Sequence, residues 1–249
     1  MDVRRRRRWP RRLGGVVVLS LAMLVAIFAV ALTVVPDVGD ADQRAADLAR
    51  SHHARGTSSA VPPRFAAALL ATENSRFYSD VGIDPVSVAR VFASAVSGSG
   101  DVGGATLEQQ LAKQLYGGGS SAGARRKAEQ AVLAVKLYSH FDKPQILRMY
   151  ASVVYFGHGY WGLDAASEGY FGRAPSQLTW GQAALLAGLL QAPSAYDPIR
   201  HPARACARQQ HVLARLVATG QLSSRAAATA ACAGSSTEDS SGEALRNHV

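Results

Sequence analysis

The sequence predicts a mainly α-helical domain that follows an N-terminal membrane-spanning helix. Residues 16–35 are apolar except for Ser20 and Thr33. Twenty helical residues extend about 30 Å, which is the thickness of the hydrocarbon core of a bilayer. In the rest of the chain, Ala and Leu dominate the segments between glycines and prolines, a composition that favours helix. Alternating β-branched patterns, which would indicate strands, are scarce.

A block of arginines precedes the apolar run, at positions 4–8, 11 and 12. Because basic residues beside a first membrane span stay in the cytoplasm, we expect a single-pass protein of the cell membrane with its domain outside the cytoplasm. Residues 1–12 carry +6 of the total formal charge of +9. Most of the excess positive charge therefore lies in this flank, and it does not indicate a nucleic-acid partner. The Ala-Val-Ala sequence at 29–31 leaves open a cleaved signal peptide.

The composition divides the chain into five segments. They are a basic cytoplasmic flank (1–12), a transmembrane anchor (13–36), a membrane-proximal segment (37–61), one helical domain (62–220) and an Ala-, Ser- and Gly-rich tail that we expect to be disordered (221–249). Cys206 and Cys232 could close a loop of about 27 residues or remain free thiols, and both possibilities stay open. No Cys/His spacing indicates zinc.

Six helices are predicted after the anchor, each from a start signal or from apolar periodicity. They lie at about 40–50, from Pro63 onward, at about 106–116, at about 125–140, behind the capping pair Asp142 and Gln145, and at 183–190 behind Thr179 and Gln182. The helix at 125–140 is expected to bury a stripe with three-and-four spacing. The members of that stripe are Ala131, Ala134, Val135 and Tyr138.

The first candidate functional residue is Glu73. If the helix from Pro63 continues through Phe77, Glu73 lies on the same face as Ala66 and Leu70. A carboxylate within an apolar stripe suits a general base or acid. The alternative is an ordinary glutamate at a helix end that reaches solvent.

Two polar clusters follow Glu73 in the chain. Gln109 and Lys113 lie one helical turn apart behind a glycine-rich loop, where they could hold a sugar or a phosphate. The basic turn at 125–127 opens a helix, and three cations there oppose the helix dipole unless an anion such as a diphosphate neutralises them. The ordinary alternatives are a solvated helix face for the first cluster and a solvated or lipid-facing turn for the second.

Taken in chain order, five motifs resemble the peptidoglycan glycosyltransferase (transglycosylase) domain of penicillin-binding proteins and of monofunctional, membrane-anchored transglycosylases. They are ENSRFYSDVGID at 73–84, GGATLEQQLAK at 103–113, RKAEQ at 126–130, ILRMY with FG and GLDAA within 146–166, and ALLAG with APSAYDP within 184–198. The resemblance covers about residues 63–213. It implies a lysozyme-like, bilobal helical fold with a smaller lobe against the membrane.

The resemblance implies that the domain polymerises lipid II into β-1,4 glycan strands and releases undecaprenyl pyrophosphate. Glu73 would be the general base, and Gln130 stands at the second catalytic position. The implied substrate-binding residues are Phe77, Gly82, Asp84, Thr106, Gln109, Gln110, Lys113, Arg126 and Lys127.

The resemblance also implies partners: lipid II and the growing glycan strand, and the bacterial cytoplasmic membrane. It implies no certain cofactor, although a divalent cation, Mg²⁺ or Mn²⁺, could accompany the pyrophosphate. The chain has no Ser-x-x-Lys and no Lys-Thr-Gly, so crosslinking would fall to a transpeptidase or another cell-wall synthase.

The chain departs from the family pattern at several motif positions. Gln130 replaces the second glutamate, Asn74 an Asp, Asp80 a His, Ala105 a Ser, Glu108 a Thr and Ser152 an Asn. Moving the third motif by one residue makes Glu129 the carboxylate but then requires an insertion before residue 146. An amide at 130 can donate a hydrogen bond but carries no charge.

Those departures support a second hypothesis, a weak or inactive homologue that binds lipid II or a synthase as a scaffold. A third hypothesis, a lysozyme-like hydrolase of finished glycan, is disfavoured because a hydrolase needs no cationic leaving-group site.

Overall fold

The computed structural model describes residues 32–54, 60–83, 105–117 and 124–232, together with four isolated positions before residue 32. Of residues 124 and 125 it describes the backbone alone. The predicted anchor therefore lies largely outside the described residues. Within the described ranges, no helix is both long enough and apolar enough to cross a membrane.

The described chain is built from helices, which confirms the mainly α-helical fold class. The helices are α1 (Ala41–Ser51), α2 (Pro63–Glu73), α3 (Leu107–Tyr116), α4 (Ala124–His140), α5 (Lys143–Val153), α6 (Leu163–Phe171), α7 (Trp180–Leu189), α8 (Pro202–Ala218) and α9 (Ser224–Ala230), with a 3-10 turn at Pro175–Gln177. The described ranges hold no β-strand, only an isolated bridge between Tyr155 and Trp161.

The helices pack in two groups around one core. Helix α7 contacts α2 and α8, and α9 covers α7 and α8, while α3, α4 and α5 pack together with α1 on α5. Leu186, Ala187 and Leu189 of α7 are fully buried, which confirms that this apolar run is a core helix. The capping boxes predicted at Asp142 and at Thr179 both form.

Helix α2 is shorter than predicted. It ends at Glu73, and the backbone of Asn74 (φ −154°, ψ 78°) has left the helical region. The Asn74 side chain donates to Asp80 at 2.8 Å, a local polar contact that competes with continuation of the helix. Phe77 consequently lies in the following turn, and the predicted common face through Phe77 does not form.

The buried face of α4 also differs from the prediction. Of the predicted stripe only Ala134 is buried, and Tyr138 is 38% exposed. The face that packs inward contains Val132, Leu133, Ala134 and Leu137. Because α4 packs mainly against α3, that contact selects a neighbouring set of apolar residues, in which Leu133 and Ala134 lie four and three positions before Leu137.

The predicted start of the disordered tail, residue 221, lies too early in the chain. Helix α9 folds within the predicted tail: the Ser223 side chain caps the helix by accepting from the Ala226 amide, and the alanine-rich segment packs on α8 and α7. Cys206 of α8 and Cys232 form a disulfide with 5.8 Å between their Cα atoms. Residues 233–249 of the predicted tail lie outside the described residues.

Candidate active site

Glu73 is the last residue of α2, and its side chain is 18% exposed. One carboxylate oxygen, Oε2, accepts a hydrogen bond from Gln110 Nε2 of α3 at 3.3 Å. The other, Oε1, lies 4.0 Å from a guanidinium nitrogen of Arg208 of α8. Three helices thus meet at this carboxylate, which remains partly exposed to solvent.

The orientation of Gln110 is determined by Tyr150 of α5. The Tyr150 hydroxyl donates to Gln110 Oε1 at 2.9 Å, so the amide nitrogen turns toward Glu73. Burial, together with the charge of Glu73, raises the pKa of Tyr150 above its ordinary value. The hydroxyl therefore stays protonated at neutral pH and remains a donor.

Arg208 is held in place by contacts beyond Glu73. Its Nε donates to the carbonyl of Gly188 in α7 at 3.3 Å, and its guanidinium carbon lies 5.9 Å from the ring centre of Tyr196. A Cβ at position 188 would come within 2.9 Å of Arg208 Cγ, so Gly188 leaves the space that this arginine occupies. Arg208 is 11% exposed and forms a largely desolvated cation beside the acid.

Several predicted binding residues support the local fold. Thr106 caps α3 in a capping box with Gln109, whose side-chain oxygen accepts from the Thr106 amide at 3.0 Å. Gly82 adopts a positive φ of 84°, and a Cβ there would lie 2.5 Å from the Ala134 carbonyl oxygen. Phe77 is 1% exposed within the core. Through these contacts the four residues stabilise the turn after Glu73 and the start of α3.

The predicted cations lie on two adjacent helices. Lys113 is exposed on α3, and Lys127 is exposed in the first turn of α4, which packs against α3. Arg126 and Gln130 are half-buried and lie one turn apart on α4. Asp84, Gly103, Gly104 and residues 118–123 lie outside the described residues.

Sequence reasoning missed two of the side chains nearest Glu73. Arg208 stands four residues before the buried Val212 and therefore on the inward face of α8, so an arginine in an apolar stripe was a usable signal. Tyr150 stands in the fourth motif of the resemblance, but no binding or catalytic role was predicted for it. Its partner is separated from it by 40 positions, and no local pattern reveals such a contact.

The sequence matches the profile of the Transglycosylase family over residues 42–217. The chain belongs to the Transglycosylase family. This membership confirms the prediction of a peptidoglycan glycosyltransferase domain, and the match extends over α1 to α8.

Two relatives are penicillin-binding proteins 1A. The one from Aquifex aeolicus is 38% identical over 163 residues, which is 65% of this chain and 22% of that protein. The one from Escherichia coli is 36% identical over 163 residues, which is 65% of this chain and 19% of that protein. The chain thus spans about a fifth of the length of these curated relatives. A crystal structure of penicillin-binding protein 1A from Haemophilus influenzae aligns with a TM-score of 0.39 at 20% identity, covering 68% of this chain and 16% of that one.

Proposed function

We propose that this domain polymerises lipid II into β-1,4 glycan with release of undecaprenyl pyrophosphate, and that Glu73 is the general base. The observation that carries the proposal is the environment of Glu73: its carboxylate is 18% exposed and lies between the Gln110 amide and the Arg208 guanidinium. Such a site holds the carboxylate in one orientation while leaving it accessible to a substrate hydroxyl.

In the proposed reaction, Glu73 takes the proton of the 4-hydroxyl of the acceptor's GlcNAc. The deprotonated oxygen attacks C1 of the donor's MurNAc on the face opposite the leaving group. The new C1–O4 bond forms as the bond from C1 to the pyrophosphate oxygen breaks, so the configuration at C1 inverts. The pyrophosphate leaves with the bonding electron pair.

Negative charge that develops on the pyrophosphate needs nearby cations. Lys113, Arg126 and Lys127 lie on the packed helix pair α3 and α4 and are proposed for this role. The amide of Gln130, one turn beyond Arg126, is proposed to donate a hydrogen bond to the same group. Gln109 and Gln110 would contact the sugar.

The resemblance leaves a divalent cation, Mg²⁺ or Mn²⁺, as an optional companion of the pyrophosphate. No group of three or more His, Cys, Asp or Glu side chains able to hold a metal occurs within the described ranges. In addition, the amide of Gln130 stands where the family pattern has a carboxylate. The proposed steps use only side chains of this chain and groups of the substrate.

The proposal also includes the setting of the reaction. Residues 13–36 would anchor the chain in the cytoplasmic membrane with residues 1–12 inside the cell, and the helical domain would adopt the lysozyme-like, bilobal arrangement of its family. A membrane anchor confines enzyme and lipid-linked substrate to one surface. A separate transpeptidase would crosslink the product.

A polymerisation assay tests the proposal. Purified full-length protein in detergent is given labelled lipid II, and wild type is compared with Glu73→Gln and with Glu168→Gln, an exposed glutamate of α6 that serves as the matched control. We expect polymer from wild type and from Glu168→Gln and none from Glu73→Gln. Equal polymer from all three proteins would refute the role of Glu73.

Gln130 favours one alternative, a weak or inactive homologue that acts as a lipid II-binding or synthase-binding scaffold. This alternative predicts that wild type binds lipid II without forming polymer. It also predicts that Gln130→Glu, which restores the carboxylate of the family pattern, produces polymer.

A further inference from the structure

Two of the positions where the sequence departs from the family pattern, Asp80 and Glu108, contact one largely buried lysine, and a third, Asn74, contacts Asp80. Lys143, the first residue of α5, places its ammonium 2.7 Å from Asp80 Oδ1 and 2.8 Å from Glu108 Oε1. Asp80 Oδ2 in turn accepts from the Asn74 amide at 2.8 Å. The side chains of Asp80, Glu108 and Lys143 are 2%, 0% and 12% exposed.

The Lys143 ammonium is surrounded by aromatic rings as well as by these two carboxylates. It lies 4.5 Å from the ring centre of Phe77 and 5.0 Å from that of Tyr138, so aromatic faces replace water around it. Glu108 Oε2 is buried and has no hydrogen-bond partner in the described part of the chain. Two carboxylates at this depth are tolerated only while a cation lies between them.

The cluster is adjacent to the candidate base on two sides. Asn74 directly follows Glu73 in the chain, and Glu108 lies two residues before Gln110, the hydrogen-bond donor to Glu73. Asp80 also accepts from the Gly82 amide at 3.2 Å, and the Gly82 carbonyl accepts from Thr106 Oγ1 at 2.8 Å. The turn after Glu73 is thereby joined to the N-terminus of α3.

We propose that the three departures from the family pattern at Asn74, Asp80 and Glu108 depend on one another, because Lys143 neutralises the two carboxylates. The ionic cluster that these four residues form positions Glu73 against Gln110. The departures at these three positions are then not independent losses of function. The carboxylate that the family pattern has at position 74 is supplied here by position 80, and the amide of Asn74 donates to it. The positioning part of this inference rests on the proposed function, whereas the coupling does not.

The test compares Lys143→Met with the neutral triple variant Lys143→Met/Asp80→Asn/Glu108→Gln in the full chain. Lys136→Met is the matched control, because Lys136 is a partly buried lysine of α4 that donates to the backbone carbonyls of Val35 and Pro36. Thermal unfolding is measured for each protein, together with kcat and KM for lipid II polymerisation. Two buried carboxylates are left unpaired only in Lys143→Met.

We expect Lys143→Met to melt about 10 °C lower than wild type. We expect its kcat to fall about a hundredfold with KM within about twofold, since the cluster positions the base and does not touch the substrate. The triple variant should recover most of both losses, because removing the carboxylates removes the unpaired charges. Lys136→Met should keep the wild-type kcat.

The coupling and the positioning of Glu73 are overturned by different results. A triple variant no better than Lys143→Met would overturn the coupling, and a lowered melting temperature with unchanged kcat would overturn the positioning of Glu73. If Lys143→Met does not fold, the triple variant decides the coupling, since it folds only if the unpaired carboxylates cause the failure. If wild type makes no polymer, the proposed function fails and positioning falls with it, while the melting temperatures still decide the coupling.

Discussion

The carboxylate of Glu73 has contacts of two kinds, a neutral amide from α3 and a permanent cation from α8. The amide fixes the direction of one oxygen. Arg208 supplies a counter-charge near the other oxygen. Together they keep the acid in one orientation before any substrate arrives.

Replacing Arg208 tests that electrostatic contact. We expect Arg208→Met to lower kcat at least about tenfold, because the base loses its fixed orientation. Arg215→Met is the control: Arg215 lies on the same helix and donates to the Ala71 carbonyl of α2 at 3.1 Å, so its loss should affect melting temperature more than kcat. Equal losses of kcat in polymerisation assays would contradict the role of Arg208.

Tyr150 allows a second test of the same site. Tyr150→Phe keeps the buried ring and removes only the hydroxyl that orients Gln110. We expect kcat to fall about tenfold, while the free energy of unfolding falls by about 1 kcal/mol for the lost hydrogen bond. Tyr78→Phe, at a tyrosine that is 65% exposed, should change neither quantity. Unchanged turnover in Tyr150→Phe would show that Gln110 needs no orienting donor.

Glu108 gives the domain a defined pH dependence of stability. Burial raises the pKa of Glu108 above its ordinary value of 4.5, although Lys143 opposes the shift. At pH values between 4.5 and the pKa of the folded state, Glu108 therefore holds a proton in the folded state that it has lost in the unfolded state. Stability falls as the pH rises through this range. In urea unfolding across this range, Glu108→Gln should lack this fall. Parallel pH slopes in wild type and variant would contradict the assignment.

At the scale of helices, sequence reasoning succeeded where the determinants are local. The capping pairs at Asp142 and Thr179 and the uniformly apolar run of α7 need only neighbouring residues. Sequence reasoning failed where a tertiary contact determines where a helix ends or whether it forms. Helix α2 ends early because Asn74 reaches Asp80, and α9 forms where composition alone indicated disorder.

The disulfide is the covalent link between α8 and the end of α9. Closing a separation of 26 residues should stabilise the fold by about 3 kcal/mol. We expect Cys206→Ser/Cys232→Ser to lower the free energy of unfolding by that amount in a denaturant titration. Wild type treated with reductant should match the double variant, and identical unfolding of oxidised and reduced protein would contradict a stabilising disulfide.

At the scale of the whole molecule, the site depends on the packing of helices that are distant in sequence. Glu73 and Gln110 stand in recognisable motifs, so both could be predicted as site residues from the sequence, but their contact with each other could not. Arg208 reaches Glu73 only because Gly188 of α7 leaves it space, and Lys143 joins Asp80 to Glu108 only after α5 packs on α3. Contacts across 35 to 63 positions have no local signal.

The central claim, that Glu73 acts as the base in glycan polymerisation, is tested most directly by measuring lipid II binding and turnover on the same preparation of Glu73→Gln. The amide keeps the size of the side chain but cannot accept the proton, so binding should stay within about threefold of wild type while polymerisation falls at least about a thousandfold. Polymerisation by Glu73→Gln at the wild-type rate would contradict the account.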